Sequence, residues 1–302
     1  MSTAAESSAL LLRKSLAHGR IHSGYLVHGG GDAPLEATLE FARGIVCLGA
    51  RQGPRPCEQC RACSLSGAKT KTVALDAKGE KGPLYRHVGG HSDLYWLERG
   101  AESTRVTVGQ VRELQTVLRR SPTEGEHRVG IVAEAEWLSH DAQGALLHVL
   151  EEPPRNATIL LVAKRATSLL STIRSRCIKV PFPAEATREL RGPDATEDVQ
   201  RIVSRLDAIH TLGMVELLDW AEEYRGVRRT MVDKVDELLG VSCDWLHERI
   251  CQAAAQGNGS AGDELDAYRA LTRYRRELTR RNLNTMMTVE KSLFTLRGAV
   301  RA

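Results

Sequence analysis

Cys57, Cys60 and Cys63 are spaced Cys-x2-Cys-x2-Cys, and Cys47 lies ten residues upstream of the first. Three thiolates on one tight loop are metal ligands. Gly49, Gly53, Pro54 and Pro56 keep that loop irregular, which suits a metal knuckle. Structural zinc takes four ligands in a tetrahedral array. Cys47 is the nearest fourth, with His87 and His91 as alternatives. A Cys-x2-Cys-x2-Cys run also opens a bacterial iron–sulfur motif, but that motif continues x3-Cys-Pro. Here Ser64, Leu65, Ser66 and Gly67 follow. The remaining reading is three reduced surface thiols.

A second group surrounds Gly29, Gly30, Gly31 and Asp32. It follows the apolar run Tyr25 to Val27 and precedes a stretch in which Leu35, Leu39, Ala42 and Val46 recur at helical spacing. Strand, glycine-rich turn and helix is the layout of a phosphate-binding loop. Its chemistry needs a Lys on the phosphates and a Ser or Thr on magnesium. From His28 to Thr38 there is no Lys, and Asp32 and Glu36 bring negative charge instead. The shape is that of a nucleotide loop without its catalytic parts, so no cofactor-binding role is assigned to it.

The elements that must position these groups follow from the wider pattern. The 302 residues contain 42% hydrophobic and 4% aromatic residues, with three Phe, so the core rests on Leu, Val, Ile and Ala. No stretch approaches the ~20 apolar residues of a membrane span. The N-terminus has no basic start before its short apolar run, so no secretory signal is expected. Seven cysteines without such a signal argue against a disulfide framework. A net charge of +4 is too mild for a dedicated nucleic-acid binder.

Leu94 to Leu97, Val129 to Val132, Thr158 to Val162 and Ile178 to Phe182 are predicted strands. Thr107 and Gln110 form a capping-box pattern that opens a helix through Val111, Leu114 and Leu118. Ser139 caps a further helix, which Pro153 and Pro154 end. Strands alternating with helices predict a parallel α/β sheet. Gly67 to Gly90 is polar and aperiodic and is predicted to be an exposed loop. Beyond Phe182, Val199 to His210, Met214 to Tyr224, Met231 to Leu239, Trp245 to Ala255 and Glu264 to Leu296 are helical in period, the last with a break near Asn282. Gly257 to Ser260 is a predicted turn. Cys243 and Cys251 are expected to be buried in these helices.

Several landmarks occur in a family's order. They are the degenerate loop Gly29 to Glu36, the cysteine knuckle, His91-Ser92-Asp93-Leu94, Val108 to Leu114, Ala142 to Pro154 with its Glu151-Glu152-Pro153-Pro154 ending, and Thr172 to Cys177. In this set, which covers Ser23 to Phe182 with an interruption at Gly67 to Gly90, the chain resembles the delta-prime family of the bacterial DNA polymerase III clamp loader. The resemblance implies an α/β P-loop NTPase-like (AAA+) domain over 1–183, with zinc on Cys47, Cys57, Cys60 and Cys63. It implies an all-α collar or oligomerisation domain over 199–302. The family places a lid of about forty to fifty residues between the two, of small-subdomain size. Only 184–198 is left for it here, so the lid is reduced, unless Val199 to Tyr224 is the lid and the collar is short.

The implied function is a non-hydrolysing stator that helps load the sliding clamp onto primed DNA. Arg176, flanked by Ser175 and Cys177, matches the family's Ser-Arg-Cys arginine, which acts in trans on a neighbour's ATP site. The implied partners are the motor subunits (gamma/tau) and delta, with the clamp touched indirectly or weakly and DNA through the complex. The implied location is the cytoplasmic, nucleoid-associated replisome, as part of a polymerase holoenzyme with nucleotidyltransferase activity.

Where motor subunits carry an Asp-Glu pair, this chain reads Ala133-Glu134-Ala135-Glu136, with Glu134 an orphan remnant, and Ala163-Lys164-Arg165 replaces the polar sensor. The chain is therefore expected neither to hydrolyse ATP nor to hold it productively. The alternatives are a stand-alone P-loop ATPase or nucleotide sensor with a zinc knuckle, and a zinc-ribbon nucleic-acid binder. Arg269, Arg273, Arg275, Arg276, Arg280 and Arg281 form a basic run whose ordinary meaning is a solvated helix face.

Overall fold

The computed structural model describes residues 3–50, 53–68, 73–182, 190, 196–226, 229–255, 262–280 and 284–300. The segment around the predicted lid, the turn at 257–260, and the break near Asn282 lie outside these residues, apart from Leu190 and 196–198. The chain divides into two compact units, Met1–Glu185 and Ala186–Ala302.

The first unit is a three-layer sandwich. Its six-stranded sheet has the order β2-β3-β4-β5-β1-β6. The strands are β1 (Gly24–His28), β2 (Arg86–His87), β3 (Leu94–Leu97), β4 (Arg128–Val132), β5 (Ala157–Ala163) and β6 (Ile178–Pro181). All pairs are parallel except the short edge pair β2–β3. β5 is buried along its whole length, as a central parallel strand covered on both faces must be.

Alternate side chains face opposite layers. Tyr25, Val27, Leu160 and Val162 join the core under helices α1 (Thr3–Ala17) and α2 (Ala33–Val46). Leu26, Ile159 and Leu161 join the core under α4 (Val108–Leu118), α5 (His140–Glu151) and α6 (Ser171–Arg176). A short helix α3 (Arg61–Gly67) follows the cysteine loop. The reciprocal capping box at Thr107 and Gln110 forms as predicted. Ser139 caps α5 through the Ala142 N–H.

One helix is added to this unit and one expectation is corrected. No N-terminal helix was foreseen, because Leu10, Leu11, Leu12 and Leu16 smear round α1. Leu12 and Leu16 are buried, whereas Leu10 and Leu11 stay exposed. The Gly67 to Gly90 segment is not simply an exposed loop. Leu75 is buried, and Tyr85 packs on the core. Arg86 and His87 pair with Trp96 and Tyr95. Ala77 O accepts from Thr107 Oγ1 and Leu84 O from Gln110 Nε2. Single anchors without a period leave no hydropathy signal. The segment closes at a neck where the Gly90 N–H donates to Leu65 O at 2.9 Å. Gly89 sits at φ +60°, and a Cβ there would collide with that same carbonyl.

The second unit is all-helical: α7 (Glu197–Asp207), α8 (Met214–Glu222), α9 (Arg229–Ala255), α10 (Gly262–Arg280) and α11 (Thr285–Ala299). α9 packs on α7 and α10, and α11 on α8 and α10. Trp245 is buried and its Nε1 donates to Asp207 Oδ1 at 2.8 Å, tying α9 to α7.

Two helices were expected where α9 runs unbroken through Gly240. That glycine makes space rather than a stop. The Arg275 guanidinium lies 3.3 Å from where its Cβ would be, and pairs with Asp236 at 2.6 and 3.1 Å. Cys243 is buried as expected, but Cys251 is exposed. Arg269, Arg273 and Arg276 lie exposed on α10.

Candidate functional site

Cys47 ends α2, Cys57 and Cys60 sit on the loop, and Cys63 lies in the first turn of α3. Their four Sγ atoms all lie within 4.8 Å of one another. The Cys47–Cys60 and Cys57–Cys63 separations are 3.9 and 4.0 Å. An ion bound tetrahedrally at ~2.3 Å would set sulfurs ~3.8 Å apart. The cage therefore fits one ion such as zinc and leaves no room for the several metal and sulfide atoms of a cluster. Neither His87 nor His91 belongs to this group.

Backbone donors surround the sulfurs. The N–H groups of Leu48 and Cys63 donate to Cys60 Sγ, each at 3.4 Å, Gly49 donates to Cys47 Sγ at 3.3 Å, and Cys60 to Cys57 Sγ at 3.4 Å. Burial pushes the Cys60 thiol up, but the Cys63 and Leu48 donors outweigh it and hold it down at about 6. Burial and the hydrogen bond with Cys60 push Cys63 up to about 12. Four thiols so crowded cannot all ionise without a cation among them.

Sequence reasoning gave Gly49 only a loop-shaping part and missed Arg43. A Cβ on Gly49 would lie 2.9 Å from Cys57 Sγ, so only glycine fits. Arg43 of α2 clamps the knuckle through Glu58 at 2.5 Å and Ser66 Oγ at 3.3 Å.

The glycine loop lies at the carboxyl edge of the sheet, the usual ligand edge of an open α/β fold. A Cβ on Gly29 would lie 2.7 Å from Phe182 Cβ, so the chain leaving β6 packs directly on the loop. Gly31 takes φ +67°, which favours glycine. Asp32 stands at the N-cap of α2 and makes no side-chain cap bond. His28, which ends β1, is pulled below 6.5 by burial and the nearby Lys179, so it offers no charge to a phosphate at neutral pH. Glu134 follows β4 at the same edge and is bound by Arg99, whose Nη2 lies 2.7 Å from Oε1.

Arg176 lies elsewhere. It ends α6 just before β6, at the amino edge of the sheet, separated from the glycine loop by the five-residue β1, about 16 Å. The structure does not bring the arginine and the loop together. Cys177 beside it is buried, and burial pushes its thiol up to about 12. A Cβ on Gly24 would lie 2.7 Å from Leu150 Cδ2 and 3.3 Å from Cys177 Sγ, so that glycine permits the packing of α5 against α6. Ser175 Oγ donates to Thr172 O at 3.0 Å, as does Arg176 Nη1. The guanidinium meets Glu151 at 2.7 Å, a contact that spacing in the sequence does not reveal.

Residues 5–186 match a family model described as "DNA polymerase III, delta subunit". The chain is 27% identical over 210 residues to "DNA polymerase III subunit delta'" of Bacillus subtilis, covering 69% of this chain and 56% of that one. It is 33% identical over 162 residues to the Yersinia pestis protein of the same name, covering 53% of this chain and 41% of that one. It is 24% identical over 238 residues to "DNA polymerase III subunit tau" of B. subtilis, covering 78% of this chain and 36% of that one. The chain thus spans about half the length of the delta' relatives it matches.

Proposed function

The chain belongs to the DNA polymerase III delta-subunit family, and we propose that it is a delta-prime-type stator of a clamp loader. In this reading it hydrolyses no ATP itself. It holds one structural zinc on Cys47, Cys57, Cys60 and Cys63. It helps motor subunits of the gamma/tau kind and a delta subunit place a sliding clamp on primed DNA, within the cytoplasmic replisome. It touches the clamp indirectly or weakly and meets DNA through the complex. Among the described residues no helix is long and apolar enough to cross a membrane.

The observation that carries the non-catalytic part is the state of the carboxyl edge. The glycine loop has no lysine, and Glu134, which follows β4, is bound to Arg99. Hydrolysis needs that charge free to hold a metal or a water. The position of Arg176 at the opposite edge of the sheet, about 16 Å along β1 from the chain's own loop, supports action in trans. An arginine supplied this way stabilises charge on the transferring phosphoryl group.

The packing of α7 on α9 and of α8 on α11 supports assigning 199–302 to one collar, with 184–198 as the reduced lid. The deciding experiment pairs an ATP titration of the isolated chain with ATPase assays of the reconstituted loader. No turnover by the chain alone, and depressed turnover in a loader carrying Arg176→Ala, are expected. Micromolar ATP affinity with turnover by the isolated chain would sink the stator reading in favour of the stand-alone ATPase.

A further inference from the structure

We propose that Glu151 is a positioning residue for Arg176, fixing the guanidinium for use by a neighbouring subunit; this rests on the trans-arginine reading above. The two residues end consecutive helices, α5 and α6, at the amino edge of the sheet. Arg176 Nη2 lies 2.7 Å from Glu151 Oε1, and Nη1 donates to Thr172 O at 3.0 Å. Two arms of the fork are therefore held by two acceptors, one on each helix.

The backbone beneath is equally fixed. Cys177 is buried in the core with Leu150 and Ile173, and Gly24 gives these groups room. The only long lever left is the arginine side chain, whose free rotamers are numerous. Holding it before the neighbour arrives removes much of the ordering cost from the moment of reaction.

Local rules favour Arg176 where it is and disfavour Glu151. A cation at the end of α6 complements the helix dipole, whereas a carboxylate on the last residue of α5 opposes it. A residue that breaks a local rule without a packing reason marks a functional site. Glu151 has no packing reason. Its side chain is 47% exposed, and that of Arg176 37%, so a neighbouring subunit can reach the pair. An ion pair so exposed is weak. It orients the guanidinium without preventing it from taking a phosphate oxygen as a further partner.

The test uses the reconstituted loader with Glu151→Ala, Glu151→Asp, Arg176→Ala and the double variant, each checked for assembly by gel filtration. Loss of an exposed pair predicts a fall in kcat of roughly two- to fivefold for Glu151→Ala. KM for ATP and assembly should be unchanged, and Glu151→Asp should recover part of the rate. The double variant should be no slower than Arg176→Ala alone. If Arg176→Ala slows the loader while Glu151→Ala runs at or above the wild-type rate, Glu151 does not position it, and the arginine reading survives. If Arg176→Ala itself changes nothing, that reading fails and takes the role of Glu151 with it. Should Glu151→Ala not assemble, Glu151→Gln, which keeps the shape and one acceptor, decides by the same criteria.

Discussion

Arg99 grips Glu134 from three points. Its Nη2 and Nε lie 2.7 and 3.2 Å from one carboxylate oxygen, and its own backbone N–H donates to the other at 2.9 Å. Arg99 is only 4% exposed and stacks over Trp137 at 4.4 Å. The glutamate that follows β4 is thus part of the wall. Glu134→Ala should cost about 2–3 kcal/mol by removing charge-assisted hydrogen bonds from a buried guanidinium, read as a lower urea midpoint at unchanged slope. The reconstituted loader should keep its ATPase rate where the protein remains folded. Unaltered stability with lost ATPase would return a catalytic role to Glu134.

The cysteine cage makes a quantitative demand on metal content. Elemental analysis should find about one zinc per chain and no iron. Gly49→Ala places a methyl against Cys57 Sγ and should weaken the metal on the order of tenfold in a chelator competition, the size of effect expected from a residue supporting the ligands. Iron with visible absorbance would overturn the assignment.

Thiol counting separates the seven cysteines. Cys177 and Cys243 are buried, and Cys177 is held protonated by burial, with its thiol near 12. Cys251 is exposed. The metal-loaded native chain should therefore show one fast-reacting thiol towards iodoacetamide, and four more after chelation. Peptide mapping that finds Cys57 or Cys60 modified before chelation would contradict a four-thiolate site.

Acid should destabilise the first unit through buried His91 and half-buried His127. Burial lowers His91 below its ordinary 6.5, partly opposed by Glu124 and Asp93, and burial alone lowers His127. The folded state keeps these rings neutral, whereas the unfolded chain takes up protons once the pH drops below 6.5. Stability is therefore full above that pH and declines as the pH falls towards the depressed folded values. Urea unfolding at about pH 7.5 and about pH 5.5 should show the loss. His127→Gln should make it smaller than in the wild type. An identical pH dependence in the two proteins would remove His127 as a source.

The strands and capped helices of the first unit were legible because each carries its own signal. β5 is a continuous apolar run, and Thr107 with Gln110 announces the start of α4. The clustering of Cys47, Cys57, Cys60 and Cys63 was legible from spacing. What stayed hidden depends on contacts distant in sequence. Leu75 is a lone anchor without a period, so a packed segment resembled a loop. Gly240 has the composition of a helix break, yet it serves the approach of Arg275 from a helix more than thirty residues on. Gly49 was visible only as a loop glycine and Glu151 only as the start of the Glu151-Glu152-Pro153-Pro154 ending, since their contacts lie in what the fold brings beside them. α1 escaped notice because its leucines wrap the helix rather than line one face.

The closed neck at Leu65 and Gly90 has a practical consequence. Within the segment it closes, anchored further on at Thr107, Gln110 and β3, Asp76 ties a turn by accepting from the N–H groups of Lys78, Glu80 and Lys81 at 3.0, 2.7 and 2.6 Å. The exposed tip from Lys78 to Lys81 supplies those three donors, so its backbone is held while its side chains reach solvent. Its lysine side chains are natural attachment points for a dye, which leaves the Asp76 turn intact and does not pull on β3 or the cysteine cage.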